Sequence, residues 1–199
     1  MAAPTPDPAL WTAAKNGGEV ERLLAEGADI EEKGGPMECT PLSIAVLVGN
    51  ELAVGLLLDH RPDVSARDRF GTTPLHEAAY TGDERSALLL LSKGADVSAK
   101  DNLTERTPLH IVANMGHEAM AGLLLANGAD VSLKDIYGET AGGIATRRSH
   151  LQAAAMIQAE EASRAKCVAF AMGQHARLGA GSLVPELEVG VVRMVLEQM

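Results

Sequence analysis

The sequence predicts an all-α solenoid, in which short helix–turn–helix units stack in a row. Three recurring features predict it. Each copy has a Thr-Pro-Leu tripeptide, a glycine seven residues after the leucine, and then a leucine triplet. The copies are spaced by 33 and 34 residues, which is the length of one supersecondary unit. The features stand at 40–42, 49 and 56–58 in the first copy, at 73–75, 82 and 89–91 in the second, and at 107–109, 116 and 123–125 in the third.

The second copy shows how each unit is built. Thr73 suits a helix N-cap, because its hydroxyl can accept a hydrogen bond from a free backbone N–H. Pro74 suits the first helical position, where a missing N–H has no cost. Gly82 suits the left-handed residue that ends a short first helix, and Gly94 ends the second helix in the same way. An extended, hairpin-like loop then leads to the next unit.

Composition limits the function classes. Apolar residues make up 46% of the chain and aromatic residues only 3%, so we expect an aliphatic core. The net charge is −10, and without a basic face a nucleic-acid partner is not expected. Cys39 and Cys167 do not suggest a disulfide framework. We see neither a signal peptide nor a membrane span, and expect a cytoplasmic protein, with the nucleus left open.

The repeated residues resemble the ankyrin repeat. Residues 68–98 follow the family pattern through Asp68, Gly71, the run Thr73-Pro74-Leu75-His76, and Gly94-Ala95-Asp96-Val97. The resemblance implies a protein that binds another protein or a peptide in a concave groove and performs no chemistry. We therefore expect a monomeric scaffold or adaptor that is not an enzyme and needs neither a cofactor nor a metal.

The chain divides into three predicted segments. Residues 1–7 are predicted to be disordered, residues 8–163 to form five units, and residues 164–199 to form a helical tail. Glu161 stands where a terminating glycine is expected, so a helix should run from about residue 151 to 172 or beyond. A last helix from Ser182 should pack its apolar stripe back onto it. The predicted units span about 8–37, 38–70, 71–104, 105–137 and 138–163.

The resemblance also places the partner-binding residues, at the loop tips and on the inner face of each first helix. Three of the five aromatic residues fall there, although each ring taken singly could equally pack a loop tip. The loop before Thr107 has one extra residue, which leaves the register of its tip open. The resemblance also places Cys39 on this surface. The predicted site residues are Leu47, Val48, Arg69, Phe70, Tyr80, Thr81, Leu103, Asn114, Met115, Ile136, Tyr137 and Arg147.

The remaining polar residues favour structural roles. In the family, the histidine of the Thr-Pro-Leu-His motif forms hydrogen bonds across units, which implies that role for His76 and His110. Cys167 and His175 would lie about 12 Å apart on one helix, too far for a catalytic pair. One alternative stays open, in which the C-terminal segment is a recruitment box and the chain is a substrate receptor of a ubiquitin ligase. Ser182-Leu183 resembles the start of a SOCS box, and Pro185-Glu186-Leu187 the start of an F-box.

Overall fold

A computed structural model describes residues 7–177, with side chains as far as Val168. Ten α-helices occupy this part of the chain, and its only strand-like pairings are two isolated bridges, Gly34 with Cys39 and Lys134 with Thr140. The helices are α1 Ala9–Asn16, α2 Val20–Ala25, α3 Pro41–Leu47, α4 Glu51–Asp59, α5 Pro74–Thr81, α6 Glu84–Ser92, α7 Pro108–Met115, α8 Glu118–Ala126, α9 Ala141–Arg147 and α10 Leu151–Arg177.

The helices pack in two parallel rows. The first helices of the units, α1, α3, α5, α7 and α9, each contact the next in the row. The second helices, α2, α4, α6, α8 and α10, form the other row in the same order. Within each unit the two helices contact each other, so every unit touches only its neighbours in sequence. This arrangement is the predicted all-α solenoid.

The Thr-Pro-Leu-His motif begins two of the central units and ties each of them to the next. The Thr73 backbone N–H donates to Nδ1 of His76 at 3.2 Å. Because that nitrogen accepts, Nε2 carries the proton, and it donates to the Arg106 carbonyl at 3.0 Å. His110 repeats the arrangement, with its Nε2 3.2 Å from the Glu139 carbonyl. Burial lowers the pKa of both imidazoles, which keeps them neutral in this role. The structural role of these histidines is confirmed.

The core is aliphatic, as the composition predicts. Leu75 and Leu109 of the first helices, and Leu90 and Leu124 of the second helices, are fully buried between the two rows. Trp11 closes the front end, where it packs on a glycine loop: a Cβ added to Gly34 would lie 2.8 Å from the indole. Small residues such as Ala79 and Ala113 let the first helices approach closely.

The turns keep their left-handed backbone even where the sequence departs from glycine. Gly82 and Gly116 have φ of +76° and +81° after their first helices. Ser149 occupies the equivalent turn of the last unit with φ +63°, and Arg61 ends α4 with φ +55°. A side chain is strained in this region, so the packing of the helices imposes the turn even without glycine.

The long C-terminal helix is confirmed, because α10 continues to Arg177, well beyond the length of the other second helices. The predicted last helix after Ser182 lies outside the described residues. So do residues 1–6 of the segment that we predict to be disordered. Asp7 is described, and its carboxylate accepts a hydrogen bond of 2.7 Å from the Gly35 N–H.

Candidate functional site

The predicted binding residues lie on one continuous side of the solenoid, which we call the groove face. It consists of the exposed side of the first helices and the tips of the loops that precede them. In helices α5 and α7 the last two residues are Tyr80 and Thr81, and Asn114 and Met115. In α3 the equivalent residues are Leu47 and Val48, the last helical residue and its C-cap.

Buried aspartates shape two of the loop tips. Asp68 Oδ1 accepts backbone hydrogen bonds of 2.8 Å from Phe70 and from Thr72. Asp135 Oδ1 accepts equivalent bonds of 2.9 Å from Tyr137 and 3.0 Å from Glu139. A carboxylate that satisfies two N–H groups in this way fixes a tight turn. The turn presents the aromatic residue two positions later in the chain.

The same geometry settles the register of the longer loop. Asp101 Oδ1 accepts from the Leu103 N–H at 2.9 Å, as Asp68 does from Phe70. It also accepts from the Thr104 N–H at 2.6 Å, and the Thr104 carbonyl, like that of Phe70, accepts from the next tip, so Thr104 stands at the position of Phe70 and Tyr137. Glu105, left-handed with φ +53°, corresponds to Gly71 at +78°, so the extra residue precedes Thr104 and adds Leu103 to the exposed tip.

Backbone hydrogen bonds join neighbouring tips. The Asn102 N–H donates to the Phe70 carbonyl at 2.8 Å, and the Ile136 N–H donates to the Thr104 carbonyl at 3.0 Å. The Arg69 N–H likewise donates to the Met37 carbonyl at 3.0 Å. The tips are therefore held at fixed spacing along the array, which gives a pre-ordered surface.

Most of the predicted apolar residues are exposed on this face. Tyr80 and Tyr137 are 54% and 68% exposed. Phe70 is half-buried, and the Arg69 guanidinium lies 5.3 Å from the centre of its ring. Leu47 is also half-buried and packs against the core. The other exposed members are Val48, Thr81, Leu103, Met115 and Ile136.

The far end of the face is polar and already paired. Arg147 donates two hydrogen bonds of 2.9 Å to the Glu139 carboxylate. Arg148 donates one of 2.9 Å to the side-chain oxygen of Asn114, which is half-buried. Arg147 and Asn114 thus lie on the predicted face, each engaged within the chain.

One residue placed on the surface by sequence is buried. Cys39 is only 5% exposed, and its Sγ accepts a hydrogen bond of 3.4 Å from the Trp11 indole. Burial raises the pKa of the thiol, so it stays protonated. The reason is the atypical first unit, whose tryptophan fills the space beside the Gly34 loop.

Sequence reasoning missed a capping row. Asn50, His117 and His150 begin the second helices α4, α8 and α10. Each lies within hydrogen-bond distance of a carbonyl near the end of a preceding first helix, at 2.8, 3.2 and 3.2 Å. His150, which gave no signal by spacing, repeats the role of His117. Asp83 holds the equivalent position of α6 but cannot donate, and its Oδ2 is buried without a partner.

Sequence reasoning also missed Glu77, which lies one helical turn before Tyr80 and Thr81. Its carboxylate is half-buried. Burial, with a smaller contribution from the nearby Asp68 charge, raises the pKa of Glu77 to about 7. Its sequence signal is that Glu77 stands where the other units carry isoleucine, at Ile44, Ile111 and Ile144.

Among the side chains that the structure describes, up to Val168, no group of three or more His, Cys, Asp or Glu residues is arranged to hold a metal ion. None of the helices described combines the length and apolar character that crossing a bilayer requires.

Comparison with protein-family models finds ankyrin repeats. A three-copy ankyrin repeat model matches residues 10–101, and a single ankyrin repeat model matches residues 104–136. The chain belongs to the ankyrin repeat family. Ankyrin repeats generally mediate protein–protein interactions and are typically non-catalytic. A search of curated proteins found no match.

Proposed function

We propose that this ankyrin repeat protein is a non-catalytic adaptor or scaffold, which binds a partner protein or peptide through the groove face. One observation carries the proposal: exposed aromatic and aliphatic side chains recur on the same side of successive units. Phe70, Leu103 and Tyr137 lie on equivalent loop tips, each shaped by an aspartate that accepts backbone hydrogen bonds. Contiguous exposed apolar surface on a rigid frame is typical of a binding site.

The proposal also covers the domain boundaries, the oligomeric state and the kinds of partner. We infer that residues 8–163 form the array, that residues 164–199 are its tail, and that the protein acts as a monomer without a nucleic-acid or membrane partner. The net charge of −10 supports the exclusion of nucleic acid. The ubiquitin-ligase alternative depends on residues 182–199, which lie outside the described part of the chain, and no described observation favours it.

The test compares Tyr80→Ala with Leu88→Ala. Leu88 is 53% exposed, nearly the same as Tyr80 at 54%, but it lies on α6 in the other row of helices. The full chain and both variants serve as baits in a lysate of the source organism, and binding to the captured partner is then measured by calorimetry.

We expect Tyr80→Ala to weaken binding to the partner by about 1–3 kcal/mol. Leu88→Ala should bind as the parent does, and both should keep the parent melting temperature. Equal binding by all three proteins would refute the groove face as the site. A large fall in melting temperature for Tyr80→Ala would show that the ring is core.

A further inference from the structure

The position of Glu77 recurs in the first helices of four units, and the other three carry isoleucine. The fourth residue after each capping threonine is Ile44, Glu77, Ile111 and Ile144. In a helix of about 100° per residue, Glu77 projects between the directions of Tyr80 and Thr81. Both of those residues are exposed, so the carboxylate belongs to the same open face, at a more sheltered depth.

The Glu77 carboxylate has no partner among the described residues. It takes part in none of their hydrogen bonds or ion pairs. Thr81, one turn later, donates to the Glu77 backbone carbonyl instead, at 3.1 Å. Arg69 of the adjoining loop donates to the Pro36 carbonyl at 2.9 Å and lies over Phe70.

The groups around Glu77 do not supply a positive charge. Asp68 is acidic and repels the ionised form of Glu77. Cys39 is buried and protonated, and its thiol pKa is raised partly by Glu77. Asp68 is itself satisfied by the backbone N–H groups of its turn. A half-buried carboxylate without a counter-charge is costly, and a cation that arrives from outside would remove the cost.

We propose that Glu77 receives a lysine or arginine side chain of the bound partner, so that the groove selects a basic residue flanked by apolar ones. The inference rests on the proposed function and names the chemistry of its ligand. The charged end would pair with the Glu77 carboxylate, and the aliphatic stem could cover the Tyr80 ring beside it. The overall charge of −10 favours the approach of such a segment.

The probe is a phage-displayed library of random 12-residue peptides, selected on the full chain at pH 8. We expect the enriched peptides to share a Lys or Arg at one fixed position among apolar residues. One such peptide is then synthesised, together with a copy in which norleucine replaces the cation. Their dissociation constants are measured by fluorescence polarisation for the parent, Glu77→Gln and Glu84→Gln.

Glu84→Gln is the matched control, because it removes the same charge from an exposed position at the start of α6. We expect Glu77→Gln and the norleucine change each to weaken binding roughly tenfold, with little further loss when combined. Glu84→Gln should change binding less than about twofold. Affinity for the parent should also rise about fivefold from pH 6 to pH 8, as Glu77 ionises, and this rise should be absent in Glu77→Gln.

Other outcomes separate the two proposals. Enriched peptides without a fixed cation, or equal weakening by Glu77→Gln and Glu84→Gln, would overturn this inference and leave the groove as a binding face. The absence of enrichment, or peptides that bind Tyr80→Ala as tightly as the parent, would overturn the proposed function and this inference together.

Discussion

Glu77→Gln should stabilise the free protein, increasingly so as the pH rises. The folded-state pKa of Glu77 is raised to about 7 from an ordinary value of 4.5, so the folded chain holds this proton more tightly than the unfolded chain. A raised carboxyl pKa means that stability falls as pH rises from about 4.5 through 7, and that the full penalty applies above pH 7. The shift corresponds to about 3 kcal/mol in the free energy of unfolding.

The assay is urea denaturation of the parent and Glu77→Gln at pH 5, 6, 7 and 8. We expect the gap in free energy of unfolding to widen by about 2 kcal/mol between pH 5 and pH 8, with Glu77→Gln the more stable. Glutamine keeps the shape and cannot ionise, so the pH-dependent part of the gap belongs to Glu77. Parallel pH profiles would refute the placement of this carboxylate in a half-buried site without a counter-charge.

Two further predictions concern the core and the capping row. Leu90→Ala should lower the free energy of unfolding by about 2–5 kcal/mol, because Leu90 is fully buried. Leu88→Ala, at an exposed position of the same helix, should lower it by less than about 1 kcal/mol. Equal losses of stability in thermal denaturation would contradict the packing of α6. Asp83→Asn should raise the free energy of unfolding by about 1 kcal/mol. The amide oxygen still accepts from the Arg85 and Ser86 N–H groups, and the new amide N–H₂ can donate to a carbonyl of the preceding unit, as that of Asn50 does. A lower free energy of unfolding for Asp83→Asn would show that the buried, unpaired Oδ2 does not destabilise the protein.

The repeat units could be predicted from sequence because each of their signals has one physical use. A threonine before proline can cap a helix, and a glycine after it can take a positive φ. Gly82 and Gly116 do so, and Leu90 and Leu109 between them are fully buried between the two rows. Ser149 holds the equivalent turn of the last unit without glycine, and its backbone is still left-handed at φ +63°.

The site could be predicted only in part, because exposure depends on neighbours that the unit pattern does not describe. Tyr80 and Tyr137 are exposed as expected, whereas Cys39 is buried because Trp11 of the preceding unit covers it. The sequence places Arg147 among the partner-binding residues, yet the Glu139 carboxylate, eight residues before it, already pairs with it. Contacts between units, rather than the pattern within one, decide which variable residues remain available.

At the position of Glu77, the residue that would stabilise the array most differs from the residue that could bind a basic partner. Isoleucine serves the stack at the three equivalent sites, and Ile44 and Ile144 are buried there. A carboxylate at the same site weakens the free array at neutral pH by the cost of its burial. Departures of this kind from a repeating pattern are expected where a residue serves a ligand rather than the fold. Glu77→Ile should therefore give a more stable protein that has lost its preference for a basic partner, and a variant that gained stability while keeping that preference would separate the two roles.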